Sequence, residues 1–151
     1  MKTLTAMAIA LEFLWGSAAV TASAQQAAAP SPLVGKWCLE RPRVMKYGSR
    51  LGLVIDEVTN AGLTGQYNWE GAGALNTPLA AKAEGNLWVF WPEQKIWYKL
   101  DKTLDAQGRL VGTGGNNILH IKWPAVFDRA ANTKPSVDKD GHRVMVPDCP
   151  K

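Results

Sequence analysis

The sequence predicts an all-β domain, an eight-stranded antiparallel up-and-down barrel, on three observations. Short runs rich in β-branched and aromatic residues recur at the spacing of about 8–12 residues that marks sandwiches and barrels. Each run is bounded by Gly, Pro, Asn or Asp. The connections are too short for crossovers, so sequence neighbours must pair antiparallel, and a meander of eight strands hides its edges by closing on itself.

In chain order the runs are Leu33–Glu40, Leu51–Val58, Leu63–Glu70, Leu79–Glu84, Asn86–Trp91, Lys95–Asp101, Arg109–Gly115 and Ile118–Trp123. Between them stand Thr59-Asn60-Ala61-Gly62, Glu84-Gly85-Asn86, Pro92-Glu93-Gln94, Asp105-Ala106-Gln107-Gly108 and Asn116-Asn117, all rich in turn-forming residues.

Residues 1–24 read as a signal peptide to be set aside from the fold: Lys2, an apolar run from Leu4 to Val20 interrupted by Glu12, and the small-residue cleavage site Ala22-Ser23-Ala24. Residues 25–32, QQAAAPSP, are a flexible linker with no core-forming side chains. Residues 33–151 then form a single β-barrel domain with a C-terminal tail. The mature protein is expected in the periplasm or outside the cell, with no membrane span.

Two cysteines follow the leader, Cys38 in the first run and Cys149 near the end. In an exported chain an even pair reads as a disulfide. Two free thiols or a metal pair is the competing reading, but no His or Cys stands near either one in sequence. The tail itself is polar, so the bridge is its expected main anchor.

Strand alternation assigns faces. Leu33, Gly35, Trp37 and Leu39 share one face, leaving Cys38 outside where the tail can reach it. The same count turns Leu51, Leu53, Ile55, Leu63, Tyr67, Trp69, Leu87, Val89, Trp91, Ile96, Tyr98, Leu100, Leu110, Leu119, Ile121 and Trp123 inward. Trp88 and Phe90 fall on the opposite face, so the phase of that run is ambiguous.

A Gly35-Lys36-Trp37 opening on an eight-stranded meander resembles the calycin group of lipocalins, fatty-acid-binding proteins and avidins. Gly62-Leu63-Thr64-Gly65-Gln66-Tyr67 is similar to the second hairpin of avidins. The resemblance implies a late arginine packed over the Gly-x-Trp indole, and Arg129 is its candidate, stacking on Trp37. The avidin contacts to biotin are missing: Trp37 is followed by Cys38-Leu39-Glu40-Arg41-Pro42-Arg43, and Trp69 stands where avidins carry a small hydroxyl residue. A site that works through polar contacts discriminates steeply against their loss, which argues against biotin.

Trp37, Tyr67, Trp69, Trp91, Tyr98 and Trp123 are therefore the candidate ligand-binding set. They read either as an aromatic box around a cavity or as a packed core, and the sequence leaves both open. The leader's Lys2 and Glu12 cancel, so the net charge of +4 belongs to the mature chain, and it is matched by Arg41, Arg43, Lys46 and Arg50, a loop without acids. This loop is the candidate anion-binding element at the barrel mouth; the plainer reading is a solvated loop. A second basic strip, Lys95, Lys99, Arg109, His120 and Lys122, should share the outer face with Trp97 and would suit sugars or polyanions.

No catalytic residue, metal site or cofactor is predicted, because no nucleophile elbow, phosphate loop or zinc motif is present. Asp138-Lys139-Asp140-Gly141-His142 echoes only half of a calcium loop, and Asp56 with Glu70 is a carboxylate pair that no spacing supports. The expected function is an exported, non-enzymatic binding protein, carrying an amphipathic or anionic small molecule in the barrel. The alternative is an envelope interaction module: a secreted-protease inhibitor using its N-terminal segment, or a polysaccharide-binding barrel. Nucleic acid is not an expected partner.

Overall fold

The computed structural model describes residues 29–40 and 51–150. The expected leader, the first part of the linker and the basic loop from Arg41 to Arg50 lie outside the described residues. Eight strands close into one antiparallel barrel in which each pairs with its sequence neighbour: β1 Gly35–Leu39, β2 Leu51–Val58, β3 Gly62–Trp69, β4 Ala74–Glu84, β5 Leu87–Glu93, β6 Ile96–Asp101, β7 Leu110–Asn116 and β8 Ile121–Arg129. Closure pairs Trp37 with Arg129 and Leu39 with Phe127. No described helix is long and apolar enough to cross a membrane.

All eight predicted runs are strands, with two shifts. β4 begins earlier, after a single 3-10 turn at Glu70–Ala72. β8 begins later than Ile118, because the Asn116 carboxamide accepts the N–H groups of Ile118 and Leu119 at 2.9 and 3.0 Å and draws both into the turn. The strand instead continues to Arg129.

The tail is more than a tethered polar segment. β9 Thr133–Val137 and β10 Arg143–Pro147 form a separate hairpin, with β10 lying against β1, β2 and β4. Val146 and Pro147 are buried, so the tail has an apolar anchor of its own. Lys134 adds an ion pair to Glu70 at 3.1 Å. Cys38 and Cys149 are bonded, with Cα atoms 5.3 Å apart and a separation of 111 in sequence. The bridge implies a non-reducing environment.

Most inward assignments hold. Leu33, Trp37, Leu51, Leu53, Ile55, Leu63, Tyr67, Ile96, Tyr98, Leu100, Leu110 and Trp123 all join one core. β5 is the correction. Trp88 and Phe90 face the core, and Leu87, Val89 and Trp91 lie on the outer side. Pairing decides this: Phe90 stands opposite Tyr98 and Trp88 opposite Leu100, and directly paired residues share a face. Leu119 is also not inward, being in the turn, and Ile121 stands at the rim beyond the core; both are exposed. The end of the expected linker is held too. The Val34 N–H donates to the Ser31 carbonyl at 3.0 Å, and Arg129 donates to the Pro32 carbonyl.

Candidate functional site

The reversed phase of β5 builds a site on the outer wall. Alternation along β6 sends Trp97, Lys99 and Asp101 outward while Ile96, Tyr98 and Leu100 fill the core. On β7 the outward position opposite Trp97 is Gly115. A Cβ there would collide with the indole, so the glycine leaves the space in which Trp97 lies against the sheet. Trp91 joins from β5 with 51% of its surface exposed. Together with Thr113, Asn117 and Lys122, these side chains line a cleft of about 560 Å³. Lys99 Nζ stands 6.0 Å from the Trp97 ring centroid and 3.7 Å from the Glu84 carboxylate. The cleft thus combines two indoles with two ammonium groups, a carboxylate, a hydroxyl and a carboxamide, a mixture suited to ligands with both apolar faces and polar edges.

Of the predicted basic strip, Lys99 and Lys122 belong to this cleft. Lys95 lies in the neighbouring turn, its carbonyl accepting the Asn117 N–H at 2.9 Å. Arg109 does not take part: its guanidinium is paired with Asp105 at 2.8 Å, across the turn before β7. His120 sits in the turn between β7 and β8 with φ at 52°. Alternation in the sequence turns Trp91 inward, and its place in this cleft is hidden there because both faces of its run are apolar.

Inside the barrel the aromatic set is packed on itself. Phe90 stacks on Tyr98 with centroids 5.2 Å apart, and Tyr98 meets Trp123 and Phe127 edge-on at 6.1 and 6.0 Å. Trp88, Phe90 and Phe127 thus replace Trp91 in the interior set. The Trp37 indole N–H donates to the Leu33 carbonyl at 2.9 Å, and the Tyr67 hydroxyl donates to the Pro92 carbonyl at 2.9 Å. Among the described residues, the buried indole N–H groups of Trp69, Trp88 and Trp123 meet no acceptor with hydrogen-bond geometry. Burial pushes the Tyr98 hydroxyl far above the usual phenol range.

Arg129 lies over Trp37, 4.3 Å from guanidinium carbon to ring centroid, and donates to the Val34 carbonyl at 3.1 Å. A Cβ at Gly35 would collide with that guanidinium, and its φ of 140° is one that residues with side chains rarely adopt, so space and backbone together account for the glycine two residues before the tryptophan. Asp138, Asp140 and His142 come within reach of one another in the β9–β10 turn. The Asp138 carboxylate there accepts the N–H groups of Asp140 and His142 at 2.9 and 2.8 Å, and the His142 N–H above all holds its carboxyl below the usual range. Glu70 is paired with Lys134, and Asp56 lies near the other end of the barrel, so these carboxylates form no pair.

The chain matches no protein-family profile, no curated protein and no solved structure.

Proposed function

We propose that this chain is an exported, non-enzymatic binding protein of calycin type that holds an anionic glycan against the outer wall of its barrel. One observation carries the reading: the exposed Trp91 and the half-buried Trp97 line a single cleft with Lys99 and Lys122. Indole faces take up the C–H faces of sugar rings, and ammonium groups take up carboxylate, sulfate or phosphate substituents. The tight aromatic packing inside the barrel favours the wall over the interior as the binding surface.

Titration of uronate-containing or sulfated oligosaccharides should change tryptophan fluorescence, with affinity falling as salt is raised. Trp91→Ala and Trp97→Ala should each weaken binding about tenfold or more, as loss of a stacking face usually costs. Full binding by the double variant would overturn the reading.

A carrier role for the interior stays as a second reading because three buried indole N–H groups meet no acceptor among the described residues, and a carboxylate or carbonyl ligand would satisfy such donors. Quenching of fluorescence by a fatty or aromatic acid that survives loss of both Trp91 and Trp97 would favour it.

A further inference from the structure

The cleft on the outer wall is not uniformly basic, and the strand register sets its groups in order. Trp97, Lys99 and Asp101 follow one another on the outer side of β6, at steps of two residues or about 6.5 Å. On β7 Gly115 stands opposite Trp97 and Thr113 opposite Lys99, and on β8 Lys122 stands opposite Gly115. The Trp97 indole lies over Gly115, so Lys122 begins one strand spacing, about 4.8 Å, beyond the ground the indole covers. The cleft therefore has two halves: an indole shelf edged by Lys122, and a polar floor of Lys99, Thr113 and Asp101.

The two lysines are not equivalent. Lys99 has a counter-charge of its own in Glu84, 3.7 Å from its ammonium. Among the described residues Lys122 has no carboxylate at ion-pair distance, and Asp101 has no cation. Lys99 and Lys122 are balanced by Glu84 and Asp101, and at the margins the exposed Lys82 and Lys95 are partly offset by the exposed Glu93. A wall so balanced draws in no polyanion by its summed field. It offers an anion one local contact, at Lys122. Asp101, as a carboxylate, only accepts hydrogen bonds, so it suits sugar hydroxyls and repels a second anion.

We infer that the cleft selects a sparsely charged glycan: a uronate ring on Trp97 with its carboxylate on Lys122, followed by a neutral ring whose hydroxyls donate to Asp101. This rests on the glycan reading and narrows it, since a densely sulfated chain would bring further anions against Asp101. Lys122 reads the single charge, and Asp101 excludes more of it.

The test is calorimetric titration with three hexasaccharides: hyaluronan, which carries one carboxylate per two rings, its carboxyl-reduced form, and heparin. Hyaluronan should bind about tenfold or more tighter than its reduced form, the usual worth of a charge-assisted hydrogen bond, and tighter than heparin. K122Q should bring the acid and reduced forms to within about threefold of each other, while K99Q should keep most of the difference. D101N should raise heparin affinity about threefold or more, as removal of a nearby like charge does. Tightest binding of heparin by the unaltered protein, or a full acid preference in K122Q, would overturn the inference and leave the glycan reading standing. Binding of none of the three, or binding that survives loss of both Trp91 and Trp97, would overturn the glycan reading and this inference with it.

Discussion

The indole of Trp97 lies in the space that a side chain on Gly115 would fill, on the outside of the barrel, while on the inside Trp123 and Tyr98 crowd the equivalent space at Gly114. Two consecutive glycines in β7 therefore admit aromatic groups on opposite faces of one strand. Gly114 serves the core and Gly115 serves the surface.

The two positions should respond differently to the same substitution. Gly114→Ala drives a methyl into packed rings and should cost about 1–3 kcal/mol, the usual penalty for overfilling a core. Gly115→Ala displaces a partly exposed indole that is free to swing outward, so it should cost less than about 1 kcal/mol. On the glycan reading proposed above, it should nevertheless weaken binding by moving Trp97. Thermal unfolding and binding titrations on both variants check the contrast.

Loss of the disulfide should loosen the tail and leave the barrel folded. Closing a loop this long contributes about 2–5 kcal/mol in the chain-entropy account, so Cys149→Ser should lower the thermal midpoint clearly. Because Val146 is fully buried, the β9–β10 hairpin should stay docked in that variant, and Val146→Ala should add about 1–3 kcal/mol of destabilisation. Hydrogen exchange in β9 and β10 reads both effects.

Arg129→Met should destabilise the end of the barrel by about 1–3 kcal/mol, combining a lost cation–π contact with lost hydrogen bonds to the Val34 and Pro32 carbonyls. Gly35→Ala should be costly as well, since its methyl would press on the guanidinium at a φ of 140° that strains any residue with a side chain. If Gly35→Ala were neutral while Arg129→Met were costly, the account of the glycine would be wrong.

Stability should fall at both extremes of pH. The Tyr98 hydroxyl is raised in the folded state by burial, so its contribution is complete below the unfolded phenol pKa near 10 and is lost as pH rises above it. Asp105 and Asp138 are lowered, chiefly by the backbone N–H groups of Arg109 and His142. Their contribution is present above the ordinary carboxylate pKa near 4 and is lost as pH falls through their folded values. Tyr98→Phe should flatten the alkaline limb and Asp105→Asn the acid limb in denaturant titrations across pH.

The number of strands, their antiparallel order and the closure of the barrel are legible in the chain, because each short apolar run is ended by residues that favour turns and no connection is long enough to cross over. The disulfide and the stacking of Arg129 on Trp37 are legible for related reasons: two cysteines leave one pairing, and the Gly35-Lys36-Trp37 opening resembles a group whose barrels carry such an arginine. The phase of β5 is not. Leu87 to Trp91 is apolar at every position, so alternation has no polar face to exclude, and only pairing of Phe90 with Tyr98 turned Trp91 outward. The same holds for the turn of Ile118 and Leu119, whose composition reads as strand until the Asn116 carboxamide bends the backbone. Composition sets which residues leave water, but where both faces are apolar only the register between strands decides which of them stay in it.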